Sequence, residues 1–341
     1  MVTFIAGKSA YDCGAAGRRA GGEDFGAAGR EAQGRADILN QRLCISVPTL
    51  AAVGDGRFEG MKTMNIFQVL LACVFWADLA CAEIIKIESS SVPAAHGMYV
   101  KSQSEIWLAD TYNKRNAGSQ VYDLSGNVVK RAARGDSIAG IAKHPRQEIY
   151  SFCDVMGSQV YWLDSNGDKV RVLAIPNPWN ARWTSSGDTM FVVTYGGSVL
   201  RVSEEGKSDV IIHGLDTPFD IAPVGETTLW VSEQGKSGKG RVCLYDKTTS
   251  AGAYERIICN QGIELDNPEG LWPLSDGSVA AVDTDRGTLL KINRNGSAIV
   301  LANDLGLPIL VQLMEEGRWV VFTNRSKVGP ALIFGRSKEL L

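Results

Sequence analysis

The stretch Ile106-Trp107-Leu108-Ala109-Asp110 decides the fold, because its pattern returns five more times along the chain. Each time, a short apolar run ends in a small polar or acidic residue. The further runs are 150–154 (YSFCD), 190–194 (MFVVT), 229–233 (LWVSE), 279–283 (VAAVD) and 320–324 (VVFTN). They recur about every 40 to 50 residues, which is the period of one four-stranded sheet per repeat. The sequence therefore predicts an all-β chain folded as a six-bladed β-propeller.

Glycine-centred turns recur with the same period in a second register. After most of the runs comes another strand and a turn, as in Ser125-Gly126, Asn166-Gly167 and Asn295-Gly296. Glycine supplies the positive φ that tight hairpins require. The fourth unit has a longer loop at 247–254, which accounts for the longest interval between runs. Two registers with one period indicate a repeat of whole hairpins.

The first part of the chain differs from the rest in composition. Residues 1–60 are crowded with Gly, Ala and Arg and show neither strand alternation nor a helical stripe. We predict a disordered or non-native extension here, with the true start further along the chain. Residues 61–82 have the features of a secretory signal peptide: Lys62, an apolar stretch at 66–76, and small residues at Ala80-Cys81-Ala82.

Two alternatives for this region stay open. One is an ordered extension with a buried helix at 66–76, and the other is a lipoprotein signal at Leu70-Leu71-Ala72-Cys73. The signal-peptide interpretation predicts a protein exported to the periplasm or the medium, with a propeller domain at 83–341. No long apolar span follows residue 83, so we expect no transmembrane segment in the mature chain.

Charge and cysteine content narrow the possible partners and the compartment. The formal net charge is -3 and no basic run occurs, which argues against nucleic acid or an anionic membrane as a partner. Cys153 lies in an apolar run and is expected to be buried. Cys243 and Cys259 flank the long loop and could form a disulfide in an oxidising compartment. The alternative is two reduced thiols whose Cβ atoms point apart.

A propeller must close on itself, because its first and last blades would otherwise leave open sheet edges. The last repeat ends after 331–334 (ALIF), whereas 83–88 (EIIKIE) precedes the first repeat with an alternating apolar pattern. We therefore predict that 83–88 completes the sixth blade as its outer strand.

The innermost strand of each blade lines the central channel, so residues near its start converge from all blades. Stepping back fourteen residues from the end of each apolar run, or thirteen from Glu233, identifies one position per blade. These positions are His96, Gly140, Asn180, Asp220, Glu269 and Leu310.

Two carboxylates and a carboxamide around one axis are suitable ligands for a divalent ion, above all Ca²⁺, with Zn²⁺ or Mn²⁺ as other choices. Asn180, Asp220 and Glu269 would hold the ion and His96 would assist. Such an ion acts as a Lewis acid and lowers the pKa of a bound water, and Asp220 would accept the proton. This chemistry predicts hydrolysis of a small lactone or ester.

The repeat spacing and these residues resemble the SMP-30/gluconolactonase/LRE-like six-bladed propellers, with a looser similarity to NHL-repeat propellers. The resemblance covers 83–341. It implies a channel metal on Asn180 in Trp179-Asn180-Ala181, Asp220 in Pro218-Phe219-Asp220, and Glu269 in Pro268-Glu269-Gly270, with Asp220 as base.

A different class of function stays open beside the hydrolase. Many propellers use polar residues at strand starts only for hydrogen bonding and act as binding platforms. The alternative is a non-catalytic NHL-like propeller that binds a protein or glycan through its loop face. The acids that end the runs, such as Asp154, Glu233 and Asp283, are expected to tie the turns of their own blades.

Overall fold

The computed structural model describes residues 83–86, 95–102, 105–110, 118–122, 128–134, 137–235, 239–247, 253–314, 317–326 and 329–336. They form strands, turns and bends, with no helix among them, and all belong to one compact unit, Asn40–Leu341. The predicted extension at 1–60 and the predicted signal peptide at 61–82 lie outside the described residues. In the described part, nothing forms an apolar helix of membrane-spanning length.

The described residues contain 24 strands arranged in six four-stranded antiparallel sheets. The first strand is β1 (Glu83–Lys86). Blade one consists of β2 (Ala95–Ser102), β3 (Glu105–Asp110), β4 (Gly118–Tyr122) and β5 (Val128–Arg134). Blade two consists of β6 (Ile138–Lys143), β7 (Tyr150–Asp154), β8 (Gln159–Leu163) and β9 (Lys169–Ala174). Blade three consists of β10 (Pro178–Trp183), β11 (Thr189–Thr194), β12 (Ser198–Ser203) and β13 (Ser208–Ile212).

The remaining blades repeat this plan. Blade four consists of β14 (Pro218–Pro223), β15 (Thr228–Glu233), β16 (Arg241–Lys247) and β17 (Tyr254–Cys259). Blade five consists of β18 (Pro268–Pro273), β19 (Val279–Asp283), β20 (Thr288–Ile292) and β21 (Ala298–Ala302). Blade six begins with β22 (Pro308–Leu313), β23 (Arg318–Ser326) and β24 (Gly329–Arg336).

The first strands of the blades form a closed ring. Each of β2, β6, β10, β14, β18 and β22 contacts the next, and β22 contacts β2. Blade six has the strand order β1-β24-β23-β22, with β1 antiparallel to β24 and Ile84 opposite Ile333. The all-β six-bladed fold and its closure by an N-terminal strand are confirmed. The described part of that closing strand is 83–86.

The apolar runs of the sequence are the second strands of the blades, and they are buried because sheets stack on both of their faces. Trp230, Phe191 and Phe322 are fully buried there, and the hydrophobic clusters lie between neighbouring blades. The inner strands approach each other closely where glycine occurs. A Cβ on Gly97 would lie 2.1 Å from the carbonyl oxygen of Ala139.

The cysteines of the described residues have two different states. Cys243 on β16 and Cys259 on β17 are direct register partners and are joined by a disulfide. This bond joins the two outer strands of blade four near the start of β16 and the end of β17. Cys153 on β7 is a free thiol and fully buried.

Candidate functional site in the central channel

Every inner strand begins with an irregularity in its register against the second strand. The first residue of each inner strand pairs with the end of its neighbour, after which one or two residues have no partner. Such bulges re-aim side chains and are common beside active sites. We number the residues of each inner strand from this first paired residue, so that the same number marks equivalent positions in all six blades. The first positions are Ala95, Ile138, Pro178, Pro218, Pro268 and Pro308.

The six residues identified from the sequence all lie on inner strands, but they occupy two successive positions. The second position holds His96, Ala139, Trp179, Phe219, Glu269 and Ile309. The third position holds Gly97, Gly140, Asn180, Asp220, Gly270 and Leu310. Counting back thirteen or fourteen residues from the apolar runs therefore placed His96 and Glu269 in the same set as Asn180 and Asp220. The four predicted ligands do not come from one ring of equivalent positions.

Asp220 is fully buried, and both of its carboxyl oxygens are used within the protein. Oδ1 accepts a hydrogen bond from the Ile221 backbone N–H at 2.7 Å. Oδ2 accepts one from the Leu271 backbone N–H of blade five at 2.8 Å. Burial raises the pKa of Asp220, while the guanidinium of Arg182 and these two N–H groups oppose the rise. Asp220 thus ties the inner strand of blade four to that of blade five.

Arg182 provides the positive charge beside Asp220. It lies at the fifth position of β10, and its Nη2 is 3.2 Å from Asp220 Oδ2 and 3.3 Å from the Leu271 carbonyl oxygen. Its guanidinium also lies 5.1 Å from the ring centroid of Trp272. The side chain is only 12% exposed. A guanidinium on blade three is therefore the counter-ion of the buried carboxylate of blade four.

Asn180 also bonds within the protein. Its Oδ1 accepts a hydrogen bond from the Ala181 backbone N–H at 2.9 Å, and the side chain is 2% exposed. The side chain packs over Gly140 of blade two, where a Cβ would lie 2.6 Å from Asn180 Oδ1. Asn180 and Asp220 therefore both lie where inner strands pack against one another.

These contacts test whether the predicted ligands fit a divalent ion. Each oxygen of Asp220 already accepts a hydrogen bond, and the cation next to it is Arg182. Within the described ranges, no three His, Cys, Asp or Glu side chains are grouped so as to hold a metal. As arranged here, the set does not fit a divalent ion. Metal binding by Asn180, Asp220, Glu269 and His96 stays a prediction, tested below.

Aromatic side chains occupy the second position on three inner strands. The ring of His96 lies 5.3 Å from Trp179 and 5.9 Å from Phe219, and Trp179 lies 5.8 Å from Phe219. Trp179 also lies 5.5 Å from Tyr195, which is 61% exposed. This aromatic cluster joins the channel to the surface on the face where the inner strands begin. Flat apolar rings of this kind can stack on a ring-shaped ligand.

Glu269 is the acidic residue at the second position, on the inner strand next to that of Phe219. It is 7% exposed, and its Oε1 accepts hydrogen bonds from Gln234 Nε2 at 3.1 Å and Asn267 Nδ2 at 3.2 Å. Its Oε2 has no hydrogen-bond partner among the described residues. Burial raises the pKa of Glu269 to about 8 and the nearby Asp285 adds to the rise, while side-chain hydrogen bonding from Thr284, Asn267 and Gln234 opposes it. Glu269 is therefore largely a neutral acid at pH 7, with one oxygen uncommitted.

The acids that end the second strands bond to nearby loops. Asp154 accepts hydrogen bonds from Gly157 N and Gln159 Nε2, and Asp283 accepts them from Asp266 N and Asn267 N. Each is less than 3% exposed. Asp154 and Asp283 thus hold the loops next to them in place. Among the described residues at the second position and at the ends of the apolar runs, only Glu269 has a carboxyl oxygen without a hydrogen-bond partner.

Sequence reasoning missed Arg182, Gln234 and Asn267. A signal for Arg182 was present, since an arginine between Ala181 and Trp183 in a buried strand needs an acidic or polar partner. Nothing local indicated Gln234, because it reaches Glu269 from the neighbouring blade. Asn267 lies only two residues before Glu269, but the sequence alone gave it no role. The role of Gln234 depends on how the blades are stacked.

Comparisons with known proteins bear on the fold. No family model and no curated protein matches the sequence. Solved structures do match. They include the gluconolactonase XC5397 of Xanthomonas campestris (TM-score 0.60, 14% identity, 77% of this chain and 92% of that chain) and a candidate gluconolactonase (TM-score 0.56, 15% identity, 76% and 94%). Virginiamycin B lyase of Staphylococcus aureus also matches (TM-score 0.52, 10% identity, 70% and 80%). At these identities the likeness shows the fold alone: a β-propeller of the kind found in gluconolactonases.

Proposed function

We propose that this protein is an exported hydrolase that opens a small lactone or ester at the channel entrance, with Glu269 as its acid–base group. The observation that carries the proposal is the uncommitted Oε2 of Glu269 on a buried carboxyl whose pKa is raised to about 8. Perturbed, buried titratable groups in clefts are candidates for acid–base catalysis.

The reaction follows from the two protonation states of Glu269. In its carboxylate form, Oε2 removes a proton from a water molecule as the water oxygen attacks the lactone carbonyl carbon. The tetrahedral intermediate then collapses, the ring C–O bond breaks, and the carboxylic acid of Glu269 returns the proton to the leaving alkoxide. The product is a hydroxy acid, and Glu269 is regenerated as a carboxylate. A pKa close to the working pH suits both steps.

The surroundings of Glu269 favour this role. Gln234 and Asn267 hold Oε1 by hydrogen bonds, which fixes the carboxyl plane. Oε2 has no hydrogen-bond partner among the described residues and is shielded from solvent, so a substrate must displace the side chains above it to react there. His96 and the exposed Tyr195, both in contact with the buried ring of Trp179, supply the aromatic surface against which a ring-shaped substrate would stack. The fold shared with gluconolactonases supports a lactone as the substrate class.

Two further features of the proposal rest on separate observations. Export is supported by the disulfide between Cys243 and Cys259, because such bonds persist in oxidising compartments.

Catalysis by Glu269 requires no metal on Asp220. Binding of Ca²⁺ by Asp220 and Asn180 would require Arg182 to leave the carboxylate it contacts now.

The test is hydrolysis of a panel of sugar and aliphatic lactones by the purified protein and its Glu269→Gln variant. We expect the wild type to open at least one lactone and the variant to be about 100-fold or more slower. The exposed Glu255→Gln variant is the matched control and should keep full activity. No turnover of any lactone or ester by the wild type, or equal rates for wild type and Glu269→Gln, would contradict the proposal.

A second candidate function has an observation of its own. Tyr195 is exposed beside Trp179, so this face carries an aromatic platform typical of sugar-binding surfaces. The alternative is a non-catalytic propeller that binds a glycan or protein through its loop face. Binding of a glycan that Tyr195→Ala abolishes, without turnover of any lactone, would favour it.

A further inference from the structure

We propose that a groove between blades three and four binds a small organic anion with an apolar body, such as an aromatic carboxylate. The groove lies outside the central channel and has a volume of about 510 Å³. This size suits a small organic molecule, since pockets for such ligands span roughly 300–1,000 Å³.

One wall of the groove belongs to the outer strand of blade three. Val210, Ile212 and Leu215 line it, and Val210 is 60% exposed. The facing wall is formed by β16 and β17 of blade four, where the rings of Tyr245 and Tyr254 lie. The disulfide between Cys243 and Cys259 joins these two strands just beyond Tyr245, so the facing wall is cross-linked.

The charge of the groove comes from two arginines. Arg241 is bound through Nε and Nη2 to the buried carboxylate of Glu233, at 2.9 Å and 2.8 Å. Arg256 is exposed, lies directly across the strand pair from Tyr245, donates a hydrogen bond to the Tyr245 hydroxyl oxygen, and forms no ion pair among the described residues. Arg241 is neutralised by Glu233, with Asp216 also close enough to act on it, whereas no ion pair involves Arg256 in the described part of the chain. Arg256 is therefore the positive charge of the groove that a ligand can use.

The lining determines the chemical class of that ligand. A guanidinium binds a carboxylate through two parallel hydrogen bonds, and Arg256 is the arginine available for it. Val210 and the tyrosine rings would cover an apolar body next to the charged group. A small inorganic anion would use only the arginine, and a neutral aromatic compound would use only the walls. The combination favours an amphiphilic carboxylate.

The test is a calorimetric titration of the full-length protein with phenylacetate, and with acetate and phenylacetamide as probes that lack the ring or the charge. We expect phenylacetate to bind at least tenfold more tightly than either probe. Arg256→Ala should weaken phenylacetate binding at least tenfold, and Arg256→Lys should restore part of it. Arg294→Ala, which removes an exposed arginine from a turn of blade five, is the matched control and should bind like wild type.

The outcomes separate this site from the channel. Since Arg256 is exposed, its variants should unfold at the wild-type temperature, which thermal scans would check. Equal affinity for phenylacetate and phenylacetamide, no binding to the wild type, or an equal loss in Arg294→Ala and Arg256→Ala would overturn the proposal. Binding that Glu269→Gln abolishes but Arg256→Ala leaves intact would also overturn it, because the ligand would then occupy the channel.

Discussion

The second position of the inner strands and the deeper positions three and five behave differently, although both carry polar residues. At positions three and five, Asp220, Arg182 and Gln312 bond to neighbouring inner strands. At the second position, the Glu269 carboxyl accepts hydrogen bonds from the amides of Gln234 and Asn267 and lies close to the Thr284 hydroxyl, and its Oε2 has no close partner among the described residues. The residues at positions three and five hold neighbouring blades together, whereas the second position carries Glu269, the candidate catalytic residue.

This difference shows that residue type alone does not assign a role in a propeller channel. Asp220 and Glu269 are both buried carboxyl groups on adjacent inner strands. Burial raises the pKa of both, but Asp220 has a cation and two backbone donors that oppose the rise, whereas Glu269 has no cation beside it and one buried oxygen without a hydrogen-bond partner among the described residues. A shift of one position along the strand separates a structural acid from a reactive one.

The largest expected effect comes from breaking the ion pair of the deeper positions. Arg182→Met would leave the Asp220 carboxylate buried without its counter-ion, so we expect a loss of about 3–5 kcal/mol in the free energy of unfolding. Replacing both residues, as Arg182→Met with Asp220→Leu, should restore most of that loss. Urea denaturation of the variants measures both values. A loss below about 1 kcal/mol for Arg182→Met would remove the structural role from this pair.

A smaller loss is expected at the junction that closes the ring. The Gln312 amide accepts a hydrogen bond from Val100 N and donates one to Val100 O, both at 2.8 Å. Gln312→Ala would leave both backbone groups buried and unpaired, at a cost of about 1–3 kcal/mol. Gln261→Ala, at an exposed glutamine of blade four, is the control and should be neutral in the same denaturation experiment. Equal stability of the two variants would show that Gln312 does not hold blades six and one together.

The raised pKa of Glu269, at the second position, should make the stability of the folded protein depend on pH. The pKa of Glu269 is raised from its ordinary 4.5 to about 8, so the folded protein binds its proton more tightly than the unfolded chain. The resulting stabilisation is complete below about pH 4.5 and is lost as the pH rises to about 8. Thermal unfolding of wild type and Glu269→Gln across this range should show the wild type losing stability relative to the variant. Parallel curves would place the Glu269 pKa near its ordinary value.

The smallest expected effect is that of added metal. Because Arg182 already neutralises Asp220, 1 mM Ca²⁺, Zn²⁺ or Mn²⁺ should shift the unfolding temperature by less than about 1 °C. Removal of metal with EDTA should likewise have no effect on lactone hydrolysis. An increase of about 5 °C or more with one ion would support the channel metal site predicted from the sequence.

The fold was predictable from the sequence because its evidence is repeated. Six apolar runs with one period define the second strands, and the apolar pattern of 83–88 (EIIKIE) identifies the closing strand without any long-range information. The channel was predictable only to within one position, because the bulge at the start of each inner strand changes the spacing to the apolar run. Nothing in a single sequence records where such a bulge lies.

The roles of the channel residues were harder to predict from the sequence than their positions. Asp220 was expected to act as the base. In the structure its role depends on the contact with Arg182, which belongs to a different blade and lies 38 residues earlier in the chain. Glu269 depends likewise on Gln234 and on its burial beneath the entrance loops. Both depend on stacking between blades, which pattern analysis of one strand cannot show.

The central claim is that Glu269 is a buried acid that stays largely protonated at pH 7 and loses its proton near pH 8. A ¹³C NMR titration of the glutamate side-chain carboxyl carbons, in wild type and in Glu269→Gln, measures this directly. The account predicts one resonance that titrates near pH 8 and is missing from the variant. A wild-type spectrum in which every glutamate titrates below about pH 5 would contradict it.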